Sequence, residues 1–187
     1  MEEIDFKTLT PYAKNFTGLT EVHEALLVEV GPMLKPSLGE VTERFYSTLR
    51  SIDKTAPFIE GRLESLKQTH RKWLEGLFTG PFDESYAQSM YHVGQVHVKV
   101  HLPVEFMSGG MSLINDELIA LVCKTFSDYP DRITALLKAI NAVTGFSLLI
   151  MQQSYQSSSL SAELDRFLAI TGMSRSLFNN LAGAYHN

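Results

Sequence analysis

The stretch VGQVHVKVHLPVEFMSGG, residues 93–110, admits two periods, and the choice between them constrains what the whole chain can become. At a period of two, Val96, Val98, Val100, Leu102 and Val104 share one face of a strand, and His97, Lys99 and His101 share the solvated one. At a period of three to four, Val93, Val96, Val100 and Val104 form one helix face, with His97 inside that apolar stripe. The flanking residues favour the helix. Asp83 is placed as the cap of a run carrying Tyr86, Met90, Val93, Val96, His97 and Val100, and Pro103 stops it. The valines lower helix propensity by roughly a few tenths of a kcal/mol each, which tertiary packing overrides.

The same period recurs along the chain. Thr20 caps TEVHEALLVEV, a run that meets Gly31-Pro32. Residues 36–49 place Leu38, Val41, Phe45 and Leu49 on one face with Tyr46 beside them. Residues 63–78 align Leu63, Leu66, His70, Trp73 and Leu77, with Thr69 adjoining, and end at Gly80-Pro81. After Pro103 the helical pattern continues to about Phe126, and Gly109-Gly110 thin one point where another backbone or a flat ligand can approach. Pro130 opens a long run through Ile133, Leu137, Ile140 and Met151, and residues 159–184 are expected as a last helix. No segment makes a convincing strand, and there is no repeat or low-complexity linker. The fold class is all-α.

With 187 residues, the chain fits one domain that can bury its own core. Its single cysteine, Cys123, rules out an internal disulfide and agrees with a reducing compartment. A net charge of -5 without any concentration of Lys and Arg argues against a nucleic-acid partner. The start, MEEIDFKTLT, lacks the basic and apolar regions of a signal peptide. The longest uncharged stretch, residues 139–162, turns polar from Gln152, which leaves its apolar part short of a bilayer core of roughly 30 Å. A soluble, cytoplasmic protein is expected.

Six histidines are present: His23, His70, His92, His97, His101 and His186. The ordinary reading of a lone histidine on an apolar face is a neutral core residue satisfied by one hydrogen bond. Zinc is disfavoured: His97 and His101 lie one turn apart, but Val-Lys-Val separates them, so the Glu of an HExxH site is missing and no acidic third ligand is near. Paired carboxylates at catalytic spacing and a Gly-rich phosphate loop are absent, and Cys123 has no neighbouring base, so nothing proposes an enzyme. A haem site needs one neutral imidazole on an apolar helix, one or two polar groups on a facing helix, and large apolar side chains between them. His97 supplies the first. Tyr46 and either Thr69 or His70 supply the second, and Phe45, Leu66, Trp73, Val93, Val100, Leu102, Phe106 and Met111 the third. One cysteine permits no CxxCH attachment, so any haem is held without thioether bonds. Composition alone leaves this open, because every helical bundle has apolar faces.

The motifs go further. Val93-Gly94-Gln95-Val96-His97-Val98-Lys99-Val100-His101-Leu102-Pro103, followed by Phe106-Met107, resembles the proximal block of the sensor globins, the globin domains of globin-coupled sensors and their protoglobin relatives. GEVTERFYSTL carries a Phe-Tyr pair like that family's as Phe45-Tyr46, and LKQTHRKWLEGLFTG resembles its distal helix. The resemblance covers about residues 20–157. It implies a globin fold with an extra N-terminal helix, non-covalent haem b, His97 as iron ligand, and Tyr46 as hydrogen-bond donor to bound O2, with CO or NO as other ligands. His101 is expected to be exposed or near a propionate, and His92 at the surface. The implied division is a sensor globin domain over residues 1–157, with an N-terminal extension over 1–19, and a C-terminal helix or linker over 158–187 leading to an output domain, a diguanylate cyclase by the look of the His97 block. Members of the family form homodimers through the last two long helices of the domain.

Two departures matter. The aromatic pair after Pro103 is reduced to Phe106-Met107, which removes one aromatic donor. On the distal helix, Leu66, Thr69 and His70 compete for the place over the iron. His70 as a second ligand makes a bis-histidyl, redox-sensing globin the alternative to a gas sensor, and a haem-free globin-like dimerisation module is the alternative of another class.

Overall fold

The computed structural model describes residues 4–184, which leaves His186 outside the described part. The elements are α1 (Phe6–Thr17), α2 (Glu21–Leu34), α3 (Leu38–Ser51), α4 (Leu63–Gly76), α5 (Glu84–Lys99), α6 (Val104–Thr125), α7 (Pro130–Thr171) and α8 (Arg175–Ala184). No strand occurs among the described residues. The helix starts follow the side-chain chemistry: Asp5, Thr20 and Asp83 accept from the backbone N–H groups of Lys7 at 3.0 Å, His23 at 3.3 Å and Tyr86 at 3.1 Å. α1 ends at Gly18, whose φ of 71° is a left-handed stop, and α7 ends the same way at Gly172.

The first half of α7 is the centre of the molecule. α1, α2, α5 and α6 all pack on it, α5 most extensively, while α3 packs between α4 and α6. Phe78, Phe82, Phe126 and Phe146 are fully buried in this core. α4 rests mainly on α3 and barely touches α5, although the two helices are neighbours in the chain.

Two boundaries differ from the sequence reading. α2 does not stop at Gly31-Pro32 but continues to Leu34. A β-carbon on Gly31 would lie 2.5 Å from the Phe78 carbonyl oxygen, so the glycine serves helix contact and not a turn. Pro32 is exposed, where water can satisfy the carbonyl it leaves unpaired. Nor does a separate helix begin at residue 159: α7 runs unbroken through the 157/158 division to Thr171, and α8 follows. The polar stretch from Gln152 to Ser159 holds no Gly or Pro, and buried Ser154 returns its hydroxyl to the Met151 carbonyl at 2.7 Å, so nothing breaks the helix there.

α6 and α7 are long and apolar enough to cross a membrane by length and composition. Their apolar positions, including Met107, Met111, Ile114 and Leu118 on α6 and Leu136, Ile140, Val143 and Ile150 on α7, form the core of the bundle. Among the described residues beyond Ser154 only Leu168 is buried, and Leu160, Phe167 and Ile170 are exposed.

Candidate cofactor site

His97 lies in the last turn of α5, whose end is closed by its own backbone. The Leu102 N–H donates to the His97 carbonyl at 3.0 Å and the His101 N–H to the Val98 carbonyl at 2.9 Å. This double bond pattern needs a left-handed residue, and His101 supplies it at φ 56° without being glycine. Two further contacts tie the segment to α7. A β-carbon on Gly94, one turn before His97, would lie 2.3 Å from both the Met151 carbonyl oxygen and Ser154 Oγ, so α5 and α7 touch there backbone to backbone. After His97, the Tyr155 hydroxyl donates to the Leu102 carbonyl at 3.1 Å. Burial pushes the His97 imidazole below its ordinary range, and its Nδ1 is buried with no hydrogen-bond partner. Val93 on the same helix and Val100, which caps its C-terminus, are half-buried.

On another part of the bundle, α3 and α4 bring together an aromatic cluster. Phe45 stacks on His70 with ring centres 4.7 Å apart and planes 8° apart. Tyr46 meets His70 edge-on at 5.6 Å, and Trp73 lies 5.6 Å from it. Gly110 of α6 brings its backbone to the Phe45 ring, which a β-carbon would approach to 3.7 Å, so the flat partner at this thin point is a side chain. Burial alone pushes the Tyr46 hydroxyl up to about 12, which keeps it a proton donor at every ordinary pH. His70 is pushed down to about 4 by burial and stays neutral. Its Nδ1 pairs with the Thr42 hydroxyl at 3.1 Å, and its Nε2 is buried without a partner.

The remaining expected residues separate. Met111 is buried, while Leu66 and Phe106 are half-buried, Phe106 edge-on to Phe58 at 5.7 Å. Thr69 is exposed and gives its hydroxyl to the Ser65 carbonyl at 3.0 Å, so it does not join the cluster. The preceding turn takes its hydroxyl because the neighbouring residue His70, about 100° further round the helix, holds the inward direction. His92 and His101 are exposed.

Two residues were not singled out by sequence reasoning, and a third, Tyr86, was read only as a position on the apolar run of its helix. Thr42 lies one turn before Phe45 and Tyr46 on the same face of α3, a signal the periodicity contained. Tyr155 has no local signal, because its partner Leu102 is 53 residues away. Tyr86, on α5, joins Ser147 of α7 through hydroxyls 2.7 Å apart, and is pushed up to about 12 chiefly by burial.

These residues fit a haem. Such a group needs a neutral imidazole, and the buried ring atoms His97 Nδ1 and His70 Nε2 have no hydrogen-bond partner among the described residues, whereas the Trp73 indole is turned to the Tyr86 hydroxyl. The two helices bearing the imidazoles scarcely pack on each other. Two surface clefts, of about 580 Å³ beside Val28 and Phe82 and about 390 Å³ beside Phe16 and Leu149, lie on other helices and hold no histidine. Among the described residues no cluster of three His, Cys, Asp or Glu side chains could hold a metal ion directly.

An all-α bundle with a histidine ending one helix and an aromatic wall on the helices opposite is the architecture of a globin. The protoglobin family matches residues 7–161, and this chain belongs to that family. The globin domain of the Geobacter sulfurreducens globin-coupled sensor superposes with a TM-score of 0.72 at 26% identity, covering 78% of this chain and 96% of that one. The ferrous globin domain of E. coli DosC superposes with a TM-score of 0.65 over 78% of this chain and 99% of its own, at 14% identity, a likeness of fold alone. The heme-based aerotactic transducer HemAT of Halobacterium salinarum is 28% identical over 86 residues, 44% of this chain. The match spans only 18% of that transducer's length.

Proposed function

We propose that this chain is a haem-based gas-sensor domain that holds haem b non-covalently and passes its ligation state to an output domain. The observation that carries the reading is the pair of buried, unpartnered imidazole nitrogens on α4 and α5, two neighbouring helices that barely touch. The group would supply an iron centre for O2, CO or NO, with His97 as its protein ligand and Phe45, Trp73, Val93, Val100, Phe106 and Met111 as its apolar surround. Tyr46 then offers a hydrogen bond to a bound gas that carries partial negative charge. Its raised hydroxyl keeps the proton, and the buried setting leaves water little chance to compete. Such a bond favours O2 over CO, since O2 draws more charge onto itself.

Transmission to α7 is supported by the two ties that bracket His97, Gly94 against Met151 and Ser154 and the Leu102 carbonyl on Tyr155. α6 and α7 are the surfaces of a proposed homodimer, and a diguanylate cyclase is the proposed output. The domain is proposed to work in the cytoplasm.

A second reading, bis-histidyl coordination, is favoured by one observation: His70 Nε2 is buried and free of partners while Nδ1 is held. The experiment is the visible absorption spectrum of the purified chain with added haem, reduced without air and then exposed to O2, beside His97→Ala and His70→Ala. An intense Soret band that shifts with O2 and is lost or altered in His97→Ala is the expected result. A low-spin ferrous form lost in His70→Ala establishes the second reading. No Soret band removes both and leaves a haem-free interaction module.

A further inference from the structure

Thr42 is buried on α3, and its hydroxyl has one proton and two acceptors within reach. The Leu38 carbonyl oxygen lies at 3.2 Å and His70 Nδ1 at 3.1 Å. Two arrangements satisfy this geometry. In one, the hydroxyl donates to Leu38 and its oxygen accepts the Nδ1–H of His70, which leaves Nε2 with a bare lone pair. In the other, the hydroxyl donates to Nδ1, which places the proton of the ring on Nε2. The first makes two hydrogen bonds and the second makes one, and return of a threonine hydroxyl to the carbonyl one turn back is the ordinary habit of the residue within a helix.

The ring has no competing partner. Phe45 stacks on its face, Tyr46 and Trp73 flank it, and Nε2 is buried without a bond. A metal-bound imidazole carries its proton on the nitrogen away from the metal, and that N–H needs an acceptor to fix ring orientation and tautomer. Thr42 Oγ1 is the acceptor available in this wall.

We propose that Thr42 sets the tautomer of His70, holding Nδ1 protonated so that Nε2 is the atom presented for iron ligation, and thereby governs competition between His70 and an incoming gas. This rests on the second, bis-histidyl reading of the haem site, and a ferrous wild type without a low-spin form overturns it. Thr42 is a positioning residue: it acts through His70 and touches neither gas nor iron. With the hydroxyl removed, ligation would strand a buried Nδ1–H without an acceptor. The free side chain's own preference for Nε2–H then takes over, and His70 becomes a donor in place of a ligand.

The test uses the full chain with added haem, as Thr42→Val and as Thr42→Ser, which restores the hydroxyl. In the ferrous state the wild type and Thr42→Ser are expected to be mainly low-spin and six-coordinate. Thr42→Val is expected to shift several-fold toward the five-coordinate form, with CO association several-fold to tenfold faster. Nitrogen-15 spectra of histidine-labelled protein give a readout independent of gas binding: His70, assigned by its loss in His70→Leu, should carry its proton on Nδ1 in the wild type and on Nε2 in Thr42→Val. Equal coordination and CO rates in wild type and Thr42→Val overturn the proposal, as does an Nε2–H signal for His70 in the wild type, a measurement that needs no stable Thr42 variant. Absence of a Soret band defeats the haem reading itself. A Soret band with an indifferent Thr42 defeats only the proposal.

Discussion

The two sides of the candidate site are built from different materials. The α5 side is joined to α7 by backbone: Gly94 meets the Met151 carbonyl, the end of α5 is closed by its own amides, and the Leu102 carbonyl receives Tyr155. The α3–α4 side is joined by side chains, Phe45 stacked on His70 and Thr42 bonded to it, on a helix that rests on α3 alone for most of its packing. A contact between backbones tolerates almost no substitution, because no rotamer can relieve it. A wall of side chains can be re-equipped one residue at a time without moving a helix. The His97 side therefore carries the fold, and in the proposed sensor the opposite side would carry ligand preference.

Four substitutions can break or sharpen that contrast, beginning with the largest effect. Gly94→Val forces carbon into a space already filled at 2.3 Å by the Met151 carbonyl oxygen, so α5 and α7 must separate. Its expected cost is roughly 3 kcal/mol in chemical unfolding, and a loss well under 1 kcal/mol would show that the backbone seam is soft. Tyr46→Phe should leave unfolding within about 1 kcal/mol and speed O2 release about tenfold, as removal of a hydrogen bond of ~1.4 kcal/mol does, with CO release changed less. Stopped-flow displacement measures both rates, and equal changes for the two gases would remove the hydroxyl from its assigned role. Tyr155→Phe should lower unfolding free energy by about 1 kcal/mol, the net worth of one hydrogen bond, while leaving gas selectivity alone. Selectivity that moved as much as in Tyr46→Phe would erase the division between the two sides. Thr69→Ala should change stability by less than about 0.5 kcal/mol and leave both gas rates as they are, because the side chain is exposed.

The helices were legible because an apolar period of three to four survives any tertiary context, and the Asp83 and Thr20 caps are local chemistry. What failed depended on distant partners. Gly31-Pro32 resembles a stop until the Phe78 carbonyl, 47 residues further on, explains the glycine as a contact surface. A new helix is expected from residue 159, yet the polar residues 152–159 hold no Gly or Pro, and nothing ends α7 before Gly172. At the site, His97 and Tyr46 stood out because each carried an anomaly, a lone imidazole and a hydroxyl on apolar faces. Choosing among Leu66, Thr69 and His70 needed a rotational setting accurate to one residue, about 100°, and the pattern of α4 did not contain it. Thr42 passed as an ordinary core threonine because its partner lies on another helix.

The unbroken course of α7 has a mechanical consequence. Its first half is embedded in the bundle, and the ties at Gly94 and Tyr155 fall near the point where it emerges. From Tyr155 to Thr171 the helix projects about 24 Å at 1.5 Å per residue. For a rigid rod of that length, a tilt of about five degrees at the point of emergence carries the far tip roughly 2 Å sideways. Movements too small to disturb the packing around His97 would thus be magnified at Thr171, a lever whose fulcrum is the seam between α5 and α7.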